Sequence, residues 1–294
     1  MATLRELKGR IGSVASSEKI TGAMKMISSA KMHKAEQALK RLVPYRSLIE
    51  DIMGNLLSSD AEFSSPLTEV RDVHRMKVVV FGSDEGLCGA YNANIYKQLI
   101  GHIGDVRAKL GSAVEIDVVP VGVKMAKAVR KIALPGVKMV EAPEGVSSKS
   151  DGDKVKSFLY DLCGDYSEGR YDRVDILFMK FYSVSRQRLS VSQFMPLSPE
   201  ALAQGIEVKA NRPCIFEPSP ADIFVSIIPM YLLAMMQEIF VENRASEQAA
   251  RVMAMQSAND NAKKLLEELQ LVYNKLRQQS ITTELLDIVG GQIR

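Results

Sequence analysis

Apolar positions recur with helical spacing from Thr3 to about Leu57. Leu4, Leu7, Ile11 and Val14 stand at 3-4-3 intervals, the stripe of an amphipathic helix. Thr3 and Glu6 have the spacing of a capping box. The stripe then shifts register, resumes at Ile20, Met24 and Ile27, and continues through Ala35, Leu39 and Leu42. Gly9, Gly12 and Gly22 each cost about 1 kcal/mol against Ala in a helix interior, and Pro44 predicts a kink or break. The periodicity returns after each, so one long helix is predicted. A second runs from Ala221 to about Ile288, ended by Gly290 and Gly291. Its stripe passes through Ile228, Leu232, Met235, Ile239, Ser246, Ala249 and Met253, then Leu266, Leu269, Tyr273 and Leu276. Intervals of 3 and 4 alternate, as in a coiled-coil seam. Polar Glu242, Gln256 and Asp260 interrupt it midway.

Between these helices the pattern changes. Lys77 to Phe81 is a β-branched apolar run, as in a buried parallel strand. A turn, GSDEGLCGAYN, follows it, and Asn92 to Leu110 returns to helical spacing. Val114–Val121 reads as a strand, Lys124–Ile132 and Ser150–Leu162 as helices, and Val174–Phe181 as a third strand. Leu189–Leu197 pairs with that strand across the SVSRQR turn, and a short strand is expected at Cys214–Phe216. Strand–helix alternation implies a mostly parallel sheet with helices on its faces. The chain divides into an N-terminal helix (residues 1–58), a central Rossmann-like α/β domain (75–205) and a C-terminal helix (221–288).

Helices of about 55 and 65 residues are rods of roughly 80 and 100 Å. A domain of about 130 residues has a radius of gyration near 14 Å and cannot cover them. The rods are therefore expected to bury their stripes on each other. The fold class is α/β with long helices: an antiparallel coiled coil of the terminal helices, protruding from the α/β domain.

Composition sharpens this picture in three ways. Aromatics are 6% with no Trp, while Met numbers 15, which suits long helices better than a β-rich fold. Net charge is +3, but residues 1–46 carry ten bases and three acids, leaving −4 on the remainder. A basic arm on an acidic body points to a partner. The cysteines, Cys88, Cys163 and Cys214, are scattered and odd in number, against a disulfide framework or cysteine zinc site. No apolar run reaches the ~18 residues of a membrane span. The nearest is Ile223–Met236. The N-terminus has no apolar core of a secretory signal.

Candidate chemistry is sparse. Gly82, Gly86 and Gly89 lie between a strand and a helix, where a phosphate cradle would sit. Their spacing is neither G-x-G-x-x-G nor a P-loop, so a tight turn is the simpler reading. Cys88 has no evident His partner, and His33, His74 and His102 do not cluster in sequence. The basic helix lacks the aromatic interleaving of a nucleic-acid binder. A nucleotide-binding enzyme with helical oligomerisation arms and a nucleic-acid-binding coiled coil stand as alternatives.

Three segments carry a resemblance. KITGAMKMISSAKMHKAE (residues 19–36) resembles the N-terminal signature of the gamma-subunit family of F-type ATP synthases. The run from Ser246 to Gly291 resembles that family's C-terminal signature, and GSDEGLCGAYN (82–92) its central turn. The resemblance implies a rotor shaft without bond chemistry, catalytic residues, cofactor or metal. It implies a shaft inside a hexamer of alpha and beta subunits, and a globular domain resting with an epsilon subunit on a membrane c-ring. Arg277, Gln278, Thr282 and Glu284 match the block that meets a beta-subunit loop. Met24 matches a contact with an acidic beta loop, a natural partner for Lys25, Lys31 and Lys34. Glu85, Phe194 and Met195 are the corresponding expectation for the c-ring and epsilon side. Gly22 stands where the family usually has a polar residue. No nucleic acid is implied. The resemblance places the chain peripherally on the cytoplasmic face of a bacterial membrane, and no cysteine-bearing regulatory insertion is present.

Overall fold

The computed structural model describes residues 3–57, 63–197 and 215–291. Among these residues, ten elements follow in chain order. They are α1 (Leu4–Leu57), β1 (Arg75–Phe81), α2 (Tyr91–Leu110), β2 (Glu115–Val121), α3 (Val123–Val129), β3 (Val137–Met139), α4 (Gly152–Ser167), β4 (Arg173–Phe181), β5 (Gln187–Met195) and α5 (Pro220–Gly291). The capping box forms at the start of α1: Glu6 N–H donates to Thr3 Oγ1 and Thr3 N–H to Glu6 Oε2. Pro44 does not break α1. Pro44 and Lys40 both lie on the exposed side of the helix, where the hydrogen bond that Pro44 cannot donate costs less than it would in a core. At the far end, α5 runs through Gly290 and Gly291 instead of stopping before them.

The sheet order is β3-β2-β1-β4-β5, with β5 antiparallel to β4 and the other pairs parallel. The hairpin is as the pattern predicts. The three-residue β3 was not expected, because Val137–Met139 is too short to show a period of its own. Ile215 and Phe216 are not in a strand, and Cys214 lies outside the described residues. One sheet face packs on α2 and α3 through Ile95, Leu99, Ile103 and Met125. The other packs on α4 and on the long helices through Phe158, Leu162, Phe240, Ile228 and Met53.

That second face changes the expected role of α5. The rods were expected to bury their stripes only on each other. Instead the first half of α5 lies between α1 and the sheet and is covered on several sides: Phe224, Leu232, Met236, Phe240, Ala245 and Ala249 are all buried. This stretch is apolar enough by length and composition to qualify as a membrane span, which the sequence reading did not anticipate. Its burial explains that composition, because a helix apolar all round belongs in a core.

Beyond the domain, α1 and α5 form the expected antiparallel coiled coil. The seam on α1 is Leu7, Ile11, Val14, Glu18, Thr21, Lys25, Ser28, Met32 and Ala35, with unbroken 3-4 spacing and no shift of register. Ile20 and Ile27, expected in the stripe, are more than half exposed. Polar seam residues disguised the register, and apolar outside residues imitated a second one. On α5 the seam runs through Val252, Met255, Asn259, Ala262, Leu266, Leu269, Tyr273 and Leu276. Met253, expected there, is half exposed.

Candidate partner-contact site

The Gly-rich turn after β1 meets α5 where the coiled coil leaves the domain. Asn243 donates to the Gly82 carbonyl at 3.1 Å, and Tyr91 OH donates to Asn243 Oδ1 at 2.6 Å. Burial holds the Tyr91 phenol well above its usual range, so it remains a neutral donor. Ser246 Oγ donates to the Met179 carbonyl. Arg251 donates to the carbonyls of Gly86 and Glu85 and pairs with Glu247 at 2.7 Å, both side chains being buried. Burial raises the Glu247 carboxyl, and the Arg251 hydrogen bond and charge oppose that rise. Asn243, Ser246, Glu247 and Arg251 were missed as site-builders. Their signal was a run of polar residues too dense for an ordinary coiled-coil seam.

This arrangement disposes of the phosphate cradle. In doubly wound sheets ligands enter at the carboxyl ends of the strands, where the strand order reverses. Here that place, between β1 and β4, is filled by α5 side chains bonded to Gly82 and Met179. A Cβ on Gly82 would stand 2.5 Å from Met125 Cβ, so the glycine makes room for close packing of the chain on itself. Among the described residues no group of three or more His, Cys, Asp or Glu side chains is placed to hold a metal ion.

The residues expected to meet beta subunits separate into two groups. Arg277, Gln278, Thr282 and Glu284 are all exposed. Thr282 Oγ1 bonds back to the Gln278 carbonyl, and Glu284 accepts from Ser280. Asn259 sits opposite Glu18, donating to its carbonyl at 2.6 Å. By that antiparallel register the start of α1 falls opposite about Tyr273. Among the described residues, the turns after Leu276, these four residues included, run as a single helix. Ile281, Leu285, Leu286 and Ile288 are also exposed along this tip, the last three by more than half.

The second group lies where the coiled coil joins the domain. Met24 and Lys25 are half-buried, and Lys31 and Lys34 exposed. Lys34 lines a cleft of about 400 Å3 with Arg41 and the start of α4 at Asp151 and Gly152. Part of the arm's charge is answered within the chain. Arg46 pairs with Glu238 at 2.5 Å and Glu50 at 2.6 Å. Lys40 pairs with Glu36.

The remaining three expectations need correction. Phe194 and Met195 are fully buried in the core and present no side chain to any partner. Met195 pairs with Val174 at the amino end of β4, whereas Glu85 lies beyond the carboxyl end of β1. They stand at opposite ends of the sheet and cannot share one contact. Glu85 is held below the usual carboxylate range chiefly by its 2.5 Å hydrogen bond to Lys149, with smaller help from Arg251 and Lys31. It belongs to the shaft end of the domain, beside Arg251.

A sequence profile of the ATP synthase family matches residues 3–292. The ATP synthase gamma chain of Bacteroides thetaiotaomicron is 38% identical over 305 residues, covering 100% of both chains. That of Bacteroides fragilis is 39% identical over 299 residues with the same coverage. Among solved structures, a chain of the Euglena gracilis mitochondrial ATP synthase F1/c-ring assembly superposes with a TM-score of 0.65 at 18% identity, covering 98% of this chain and 93% of that one. A chain of the Tetrahymena thermophila central stalk/c-ring structure gives 0.55 at 19% identity, covering 81% and 99%. These last two speak for the fold alone. The full-length match to the family profile and to bacterial relatives shows that this chain belongs to the ATP synthase gamma-chain family.

Proposed function

We propose that this chain is the central rotor stalk of a proton-translocating ATP synthase, a non-catalytic subunit that carries torque between a membrane c-ring and an alpha/beta hexamer. One observation supports this reading above the others. Among the described residues, the last turns of α5 extend past α1 as a lone helix with several large apolar side chains exposed. A single helix in water gains little from its own hydrogen bonds, and exposed apolar side chains gain by burial. This tip is built to be enclosed by something else.

In this reading Arg277, Gln278, Thr282 and Glu284 meet beta subunits at the tip, and Met24, Lys25, Lys31 and Lys34 meet an acidic beta surface at the collar. The end of the sheet carrying the strand amino ends faces the c-ring with an epsilon subunit. The chain then lies peripherally at the cytoplasmic face of a bacterial inner membrane, held through the complex. Torque becomes chemistry through differential contact, since only a difference in interaction between two states shifts their equilibrium. Moving a site from 1:99 to 99:1 requires about 5.5 kcal/mol. Burying two to four aliphatic side chains in one state and not the other supplies that, at about 1.5–3 kcal/mol each.

Co-expression with the alpha and beta subunits of a Bacteroides relative tests the reading. The full chain co-purifies with the hexamer and raises its ATPase rate. Arg277→Ala combined with Gln278→Ala lowers that rate about tenfold or more, the loss of one or two charge-assisted contacts. Failure of the unaltered chain either to bind or to activate the hexamer contradicts the proposal.

A further inference from the structure

Glu242 lies at the joint where α5 is pinned between α1 and the β4–β5 hairpin. It is only 4% exposed, yet it makes no hydrogen bond or ion pair with any described residue. Its side chain lines a cavity of about 180 Å3 together with Arg46, Lys180, Ser190, Ser192 and Glu238. A buried carboxyl group without a partner is expensive, so its surroundings decide its charge.

Each element packed around the cavity contributes. From α1, Arg46 faces it, but that guanidinium is already engaged by Glu238 and Glu50. From α5 come Glu238, which repels a second carboxylate, and the phenol of Tyr231 behind Arg46 and Glu50. From β4 comes Lys180, half-buried and without an ion-pair partner among the described residues. From β5 come only the hydroxyls of Ser190 and Ser192. The cavity itself is lined by two cations and two carboxyl groups, and Glu50, which holds Arg46 from outside it, makes three carboxyl groups to two cations; the remaining walls are Phe178, Met235 and Ile239.

We propose that the Glu242 cavity is a proton-binding site, and that its occupancy sets how firmly α5 is seated on the β4–β5 hairpin. With the carboxyl protonated, the cavity carries no uncompensated charge and the apolar walls close on it. When the proton leaves to solvent, the new carboxylate must draw in Lys180 or water. The yielding wall is β5, an edge strand bonded on one side only. Burial pushes the Glu242 carboxyl up to about 7, with Lys180 opposing the rise and Glu238 adding to it. The native state therefore holds a proton that the unfolded chain has already released from about pH 4.5 upward. Stability falls as pH rises across that interval, and the joint loosens toward its upper end.

Infrared titration of the full chain with 13C-labelled glutamate reads the site directly. A protonated-carboxyl band that disappears near neutral pH, and is absent in Glu242→Gln, is expected. In Lys180→Met the midpoint rises by about one pH unit or more, because the nearest opposing charge is gone. Hydrogen exchange of the amides in 187–192, corrected for intrinsic rates, rises at least about threefold between pH 6 and 8 in the natural chain and not in Glu242→Gln. If Glu242→Gln fails to fold, Glu242→Asp serves, and its altered side-chain length must displace the midpoint. A band that survives Glu242→Gln, a midpoint in the ordinary carboxylate range, or parallel exchange in the two proteins overturns the proposal.

Discussion

Asp175 is fully buried beneath α2, and its charge is decided by two neighbours. Burial alone raises its carboxyl. Hydrogen bonds from His102 at 2.9 Å and Arg173 at 2.8 Å outweigh that and hold it below the usual range. A depressed carboxyl contributes stability above its unfolded value and loses it as pH falls through the folded one. Asp175→Asn should therefore be less stable at pH 7 by about 3 kcal/mol, the cost of breaking a buried pair. The gap should narrow in denaturant titrations as pH approaches 3. A gap independent of pH would mean that packing, not charge, is what Asp175 provides. At this scale the sequence exposed residue types but not their placement. Phe194 and Met195 looked like surface contacts because a resemblance pointed to their neighbourhood, yet the register breaks at Phe194, where Met195 pairs with Val174 and Gln193 with Asp175, and both side chains end fully buried.

The two long helices were legible because many turns of periodicity outweigh a few glycines and a proline. Their seam was less so. Glu18, Thr21, Lys25 and Ser28 hold seam positions without looking apolar, while Ile20 and Ile27 look apolar outside it. A lone seam residue explains the register: Asn259 is buried and donates to the Glu18 carbonyl and to Thr21 Oγ1 across the pair. Polar seam groups of this kind fix alignment at some expense of stability. Gly22 belongs to the same contact, since a Cβ there would stand 3.3 Å from Asn259 Nδ2. Gly22→Ala alone should change stability little, because helix propensity worth about 1 kcal/mol is offset by crowding of the amide. In an Asn259→Ala background the same substitution should stabilise by about 1 kcal/mol. A double-mutant cycle in thermal unfolding checks this, and equal effects in both backgrounds would separate Gly22 from the Asn259 contact.

At the scale of the molecule, α5 serves in two settings. Its first half is a core helix wedged between sheet and α1, tied to the Gly-rich turn by Asn243 and Arg251. Its second half is a rod that outlasts its partner helix. Sequence periodicity revealed the rod but not the wedge, because side chains buried against a sheet and against a helix share the same apolar pattern. A twist applied to the domain reaches the rod through buried hydrogen bonds rather than through a loop. Rotation is what the proposed stalk role requires of this linkage. A bead attached at Lys109→Cys, exposed on α2, reports the motion when the full chain is assembled in a surface-fixed hexamer of Bacteroides alpha and beta subunits. The account predicts ATP-dependent turning in one direction, stopping when ATP is withdrawn. A hexamer that hydrolyses ATP while the bead stays fixed, or merely diffuses, would contradict it.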